Sequence, residues 1–225
     1  VIHVHSDYSY DGKMSLVDLK DFLVAKGISF ACMSEHTDEL DQDRAEKFVD
    51  ECRLLSDNNF VFVPGFEVPY KRSHILQFGS TKFLGQTADA STLKKWSEAA
   101  AYTVLAHPVR NDFRLDETMV QVIDGVEIWN QQYEGKWLPR SASAVLLDKL
   151  RKDNPKLLAS GGVDFHRSEH FGSPLTFTDL DQLTEFDILS ALRSGKYSFG
   201  TEVLMIDADA AVSYTHLTLP TTYGV

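Results

Sequence analysis

The chain has 225 residues, with 33 Asp+Glu against 22 Lys+Arg, a formal charge of −11, and 43% apolar residues. That length suits one α/β domain with a single core, and the composition excludes fibrous and disordered classes. The acidic balance excludes long nucleic acid and anionic membrane as partners, so an anionic substrate requires a local positive centre, which bound metal ions supply most readily here.

Taken in chain order, short apolar runs alternate with amphipathic stretches, the pattern of repeated βα units. Residues 2–5 read as a strand, and Ser15 caps a helix to about residue 26 that places Leu16, Leu19, Phe22 and Leu23 on one face and stops at Gly27. A strand over 28–34 leads to a charged helix over 42–56 burying Ala45, Phe48, Val49 and Cys52, followed by strands over 60–63 and 74–78. Ser91 caps a helix to about residue 101 that leads into a strand over 103–106; a short helix over 116–122 and a strand over 125–129 follow. A helix over 141–152, a strand over 157–163, a helix over 184–193 stopped by Gly195, and a strand near 197–200 complete the count. About seven strands with helices between most of them close into a barrel or spread into a doubly wound sheet. No apolar run approaches the ~20 residues that span a bilayer. Cys32 and Cys52 sit in apolar segments as free core thiols, which suits a cytoplasmic protein, and the chain starts within a strand-like run as a fragment does, leaving a lost targeting segment open.

Six of the eight histidines fall at or just after predicted strand ends, each beside a carboxylate or another His. His3 and His5, and again Asp164 and His166, are spaced i, i+2, which on a strand turns both side chains to one face about 6–7 Å apart. His3, His5 and Asp11 follow the first strand, Glu35-His36-Thr37-Asp38 the second and Glu67 the third. His74, His107 before Pro108, and the Asp164-Phe165-His166 run come after them. In a βα barrel such ends meet on one rim, so residues distant in sequence become neighbours.

These motifs resemble the PHP (polymerase and histidinol phosphatase) family of metal-dependent hydrolases. The likeness covers nearly all of residues 1–201: HVHSDYSYDG at the opening, then SEHTD, GFEV, LAHP and the closing GVDFH. HILQFG, GVEIWN and ALRSGKYSFGTE are similar to its stand-alone CehA/McbA-like branch. Ser73 and Phe165 depart from that branch, where Gly and a small residue are usual. The resemblance implies a distorted seven-stranded βα, TIM-like barrel as a single domain over residues 1–211. It also implies His3, His5, Asp11, His36, Glu67, His74, His107, Asp164 and His166 as ligands to two or three divalent ions, with Glu67, Asp164 and His166 at the reacting centre. Six imidazoles and three carboxylates exceed the four positions of one tetrahedral zinc, and a thiolate-free N/O set favours Zn, Mn or Fe(II).

Around that set, Glu35 reads as a carboxylate orienting a ligand, Asp38 less so, and Asp7 is an alternative to Asp11. Arg110, Arg167 and His170 follow ligand motifs closely and suit a phosphate. Tyr8, Tyr10, Tyr70, Trp129 and Tyr133 are candidates for the rim. The implied activity is hydrolysis of small phosphorylated substrates by a metal-bridging hydroxide. The alternatives are a carboxyl ester or carbamate hydrolase and a non-catalytic PHP accessory module. Oligomeric state has no signal in the sequence. Residues 212–225, including His216, read as a tail that is non-native or disordered, outside the domain and without metal.

Overall fold

The computed structural model describes residues 1–80 and 82–214. The chain opens with β1 (Ile2–Val4), α1 (Leu16–Ala25), β2 (Phe30–Met33), β3 (Glu35–His36) and α2 (Gln42–Leu55). Next come β4 (Val61–Val63), β5 (Gly65–Tyr70), β6 (Ser73–Phe78), α3 (Leu93–Ala99), β7 (Tyr102–Ala106), α4 (Glu117–Val120), β8 (Gly125–Asn130) and α5 (Gln131–Glu134). It ends with α6 (Ser141–Leu150), β9 (Leu158–Gly162), β10 (Leu175–Phe177), α7 (Glu185–Arg193), β11 (Ser198–Gly200), β12 (Leu204–Asp207) and β13 (Val212–Tyr214).

Local chemistry sets the helix ends. The Ser15 hydroxyl accepts from the Asp18 amide at 3.1 Å, the Asp41 carboxylate from Arg44 at 2.8 Å and the Thr184 hydroxyl from Asp187 at 3.1 Å, each satisfying a donor the helix cannot. Gly27 ends α1 at a φ of 76°, which favours glycine. α2 buries Ala45, Phe48, Val49 and Cys52, the face read from the sequence. At α3 the cap differs from expectation: Thr92 precedes the helix, and the Asp89 carboxylate takes the Ser91 and Thr92 amides at 2.8 Å each. One hydrophobic cluster takes side chains from all three sheets. Among the described residues, no helix is long and apolar enough to cross a membrane.

The expected distorted seven-stranded βα barrel is not the arrangement found. The strands fall into three sheets: a parallel β1-β2-β4 sheet, a six-stranded mixed sheet in the order β3-β5-β6-β7-β8-β9, and an antiparallel β10-β11-β12-β13 sheet. The physical reason is at residues 71–72. Only those two residues separate β5 from β6, with Lys71 at a φ of 54°, and a parallel crossover needs a dozen or more. β6 therefore pairs antiparallel with both β5 and β7, while β3-β5, β7-β8 and β8-β9 pair parallel. After α7 the chain turns back twice more, at β11-β12 and β12-β13, which the βα pattern did not anticipate. Residues 212–214 of the expected tail form β13 and pair with β12; the rest of it, His216 included, lies outside the described residues.

This topology gathers one set of ends. β1 sits between β2 and the segment after β9: the Phe165 amide donates to the His3 carbonyl at 3.0 Å, and the His5 amide to the Phe165 carbonyl at 2.8 Å. Because β6 runs against β7, its first residues lie beside the last of β7, with His74 opposite Ala106. The ends of β1, β7 and β9 and the start of β6 thereby meet.

Candidate metal centre

All nine expected ligands converge there. Glu67 of β5 is the hub, 1% exposed. Its Oε2 lies 3.1 Å from His3 Nε2, 3.3 Å from His5 Nε2 and 3.5 Å from His36 Nδ1. Its Oε1 lies 2.9 Å from His107 Nε2 and also contacts His74 Nδ1. The register explains the meeting: His36 of β3 pairs with Glu67, and His74 opposes Pro69, so Glu67 and His74 are diagonal neighbours on one face of the hairpin. Asp164 Oδ1 is 3.4 Å from His3 Nε2 and 3.6 Å from both His5 Nε2 and His166 Nδ1. Asp11 Oδ2 is 3.2 Å from His166 Nε2 and 3.5 Å from His36 Nε2. Asp7, the alternative to Asp11, is exposed.

Four overlapping triplets each bring their ligand atoms within 4.8 Å of one another: His5, His36 and His166; His3, His5 and Glu67; His3, His107 and Asp164; and Glu67, His74 and His107. Buried His, Glu and Asp groups of this kind can hold a metal ion. The donor atoms fit one. His5 Nε2, His36 Nδ1 and His166 Nε2 are buried and lack a hydrogen-bond partner, although each is within 3.5 Å of a carboxylate oxygen of Glu67 or Asp11. The contacts have the distance of a hydrogen bond without its direction. The rings also crowd one another, with His5 stacked 4.2 Å from His166 and 4.4 Å from His36. Buried, unbonded imidazole nitrogens are costly unless a cation satisfies them.

Electrostatics follow from that crowding. Burial alone would lower the His3 and His5 pKa values, but neighbouring carboxylates outweigh it. Asp164, Glu127 and Glu67 push His3 well above its ordinary range, and the close Asp164 and Glu67 carboxylates bring His5 to about 9. Reciprocally, burial would raise the carboxyls, yet the histidines hold Glu67, Asp164 and Asp11 below the usual carboxylate range. Protons and metal thus compete for the same nitrogens.

Around the ligands, Glu35 is buried and accepts from the Ser6 amide at 2.9 Å, the Ser6 hydroxyl at 2.7 Å and the Ser9 hydroxyl at 2.5 Å. Ser9 Oγ is in turn 3.2 Å from His5 Nδ1, so Glu35 reaches a ligand through one serine and turns His5 Nε2 inward. Asp38 is exposed. Arg110 lies over the His74 ring, its Nη1 3.2 and 3.1 Å from the two ring nitrogens. Arg167 instead donates to His170 Nε2 at 3.0 Å, one ring beyond His166. Burial, followed by the Arg167 charge, lowers the His170 pKa. Of the aromatic candidates, Tyr10 stacks on His36 at 5.1 Å and Tyr133 tilts against His107 at 5.0 Å, both with exposed edges. Tyr8, Tyr70 and Trp129 are buried and bond to Glu51, Thr118 and the Gly135 carbonyl, which makes them packing residues.

Two residues of the centre were not singled out from the sequence: Glu127 and Asn130, both buried on β8. A lone carboxylate between Val126 and Ile128 in an apolar strand was the available signal, because a buried carboxylate demands partners.

Fold and site together define a mixed α/β protein with a buried histidine and carboxylate cluster able to hold metal. No protein-family model matches the chain, and no curated protein matches it. Among solved structures, the crystal structure of PsfC from Pseudomonas syringae PB-5123 is similar, with a TM-score of 0.59 over 95% of this chain and 91% of that one at 12% identity. At that identity the likeness concerns the fold alone.

Proposed function

We propose that this chain is a metal-dependent phosphoesterase acting on small phosphorylated substrates, a hydrolase of the PHP type. The observation that carries the reading is the convergence of six imidazoles and three carboxylates in one cluster, five of the imidazoles on Glu67 and the sixth, His166, on Asp11 and Asp164, with inward ring nitrogens of His5, His36 and His166 that no protein donor or acceptor satisfies. The motif resemblance of the sequence supports it. The ligand set suits two or three ions of Zn, Mn or Fe(II), which when bound supply Lewis-acid charge at the phosphoryl oxygens and activate water near neutral pH.

The protein's own residues do the rest. Glu67, reached by His3 and His5 at the end of β1, His36 of β3, His74 at the start of β6 and His107 just after β7, keeps the donors at fixed separation. Asp164 and Asp11 hold His166 between them, and Glu35 with Ser9 fixes the orientation of His5. Arg110 sits at the mouth beside His74 with guanidinium donors for a substrate oxygen. Tyr10 on His36 and Tyr133 on His107 present exposed ring edges beside the same cluster.

The test is a screen of protein loaded with Mn²⁺ or Zn²⁺ against phosphomonoesters, nucleotides and neutral carboxyl esters. Turnover of phosphomonoesters with competitive inhibition by inorganic phosphate is expected. Good turnover of carboxyl esters or carbamates with no phosphoester activity replaces the reading with a carbonyl hydrolase. Loaded protein inactive on both supports a non-catalytic module.

A further inference from the structure

The GVEIWN strand contributes no metal ligand, yet its Glu127 is 1% exposed in the middle of the centre. Glu127 Oε1 is 2.9 Å from His3 Nδ1. Its Oε2 accepts from the His107 backbone amide at 2.7 Å and from Asn130 Nδ2 at 2.9 Å, and the same Asn130 amide donates to Asp164 Oδ2 at 3.3 Å. One carboxylate therefore connects, directly or through Asn130, to His3, His107 and Asp164. Those three form one of the four metal-sized triplets. They are also the only expected ligands held at positive φ, 66°, 25° and 54°, backbone conformations that persist in non-glycine residues when surrounding contacts enforce them.

We infer that Glu127 is a positioning residue that preforms the His3, His107 and Asp164 triplet as the seat of one cation. It accepts the Nδ1 proton of His3, which leaves Nε2 as the free ligand atom. It also anchors the strained backbone at His107 and orients Asp164 through Asn130. The inference rests on the metal reading above and adds that one seat depends on Glu127 while the His5, His36 and His166 triplet, oriented by Ser9 and Glu35, does not.

The experiment is calorimetric titration of the full chain with Zn²⁺ alone, with bound metal counted by mass spectrometry, for wild type, Glu127→Gln and Glu127→Asp, alongside the melting temperature of each metal-free protein. Glutamine matches the shape of glutamate but sets an NH₂ donor against His3, His107 or Asn130, all of which donate here. Aspartate keeps the charge but is one methylene too short to reach both His3 and His107. Both variants are expected to weaken one class of site by about 10–100-fold and to leave another at wild-type affinity. Three outcomes overturn the inference: wild-type affinity at every site in Glu127→Gln, wild-type binding in Glu127→Asp, which would make charge alone sufficient, or a uniform loss that tracks the fall in melting temperature. A wild type that takes up no Zn²⁺ refutes the metal reading itself, a result distinct from all three.

Discussion

Gly161 and Gly162 are consecutive in β9, so a methyl group added at each points to opposite faces of the strand. At Gly162 it would lie 1.7 Å from Glu127 Oε1 and 2.9 Å from the His3 Cβ. Non-bonded atoms settle about 3.5 Å apart, so the carboxylate has to retreat by roughly 1.8 Å, and its 2.9 Å bond to His3 cannot survive that movement. At Gly161 the methyl would instead meet Phe199 Cδ2 at 2.4 Å and Pro174 Cγ at 2.8 Å, apolar side chains outside the histidine and carboxylate cluster. Overpacking costs about 1–3 kcal/mol in either case. Gly162→Ala adds about 1–3 kcal/mol for each buried donor left without an acceptor. At about 2–4 °C per kcal/mol for a chain of this size, Gly161→Ala should lower the metal-free melting temperature by roughly 2–12 °C and Gly162→Ala by more. The separation lies in metal binding: Gly161→Ala should titrate with Zn²⁺ as wild type does, and Gly162→Ala should bind at least tenfold more weakly at one class of site. Differential scanning fluorimetry with chelator and calorimetric titration measure the two quantities. Equal Zn²⁺ affinity in the two variants would refute the reasoning, since it would mean that the Glu127 face of β9 has no part in holding the ligands.

The raised pKa values of His3 and His5 stabilise the metal-free fold fully below the unfolded value of about 6.5, and this stabilisation is lost as pH rises through the folded value, about 9 for His5. Denaturant unfolding in chelator should therefore show stability falling between pH 6.5 and 9, by about 3 kcal/mol for His5 alone. A flat profile contradicts the assignment. Metal uptake near pH 7 should release protons, seen as a dependence of the binding heat on the buffer's own heat of ionisation. Cys32 and Cys52 are fully buried, and burial pushes the Cys32 thiol up to about 12 and raises that of Cys52. A thiol reagent should label neither in the native protein and both in denaturant, and rapid native labelling would show that these helices and strands open. Arg110→Ala should raise the KM for a phosphorylated substrate by about tenfold or more while Zn²⁺ stoichiometry stays unchanged, and an unaltered KM removes Arg110 from the substrate's contacts.

The clustering of these histidines and carboxylates was legible in the sequence because each lies in a short motif whose residue types are expensive to bury without a partner, although His3 and Asp164 at positive φ show that regular strand alternation is not what brings the His-x-His and Asp-x-His pairs together. Helix faces were legible from their periodicity, as α2 shows. The sheet architecture was not. Reading 60–63 and 74–78 as strands left GFEV as a loop motif, so the 71–72 hairpin, and with it the reversal of β6, went unread. Strand direction depends on the length of the connection, and a boundary error of a few residues converts a hairpin into a crossover. Glu127 and Asn130 escaped because β8 is buried along its whole length and, three residues apart, the two would not share a face of a regular strand; a register irregularity between Glu127 and Trp129 brings both to the segment after β9 and Glu127 to β1. The β12 and β13 strands escaped because nothing in the βα rhythm calls for a returning edge.

The arrangement of the hub within the chain bears on the order of folding. Glu67 and His74 share a hairpin whose strands are separated by two residues, a unit of the kind that forms in about 1–10 μs. His3 and Asp164 meet only when β1 inserts beside the segment after β9, across more than two thirds of the sequence, where loop closure must be met before any contact rewards it. The Glu67 and His74 part of the cluster is thus local in the chain, and its completion by His3 and Asp164 is remote, a contrast that favours early formation of the first and late formation of the second. A chain still emerging from synthesis, or clipped before residue 164, carries the hairpin carboxylate and its neighbouring imidazole but lacks the partners that close the cage. A cluster built this way is complete only in the finished molecule, so its capacity to hold a cation should appear with the docking of the two distant segments and not before it.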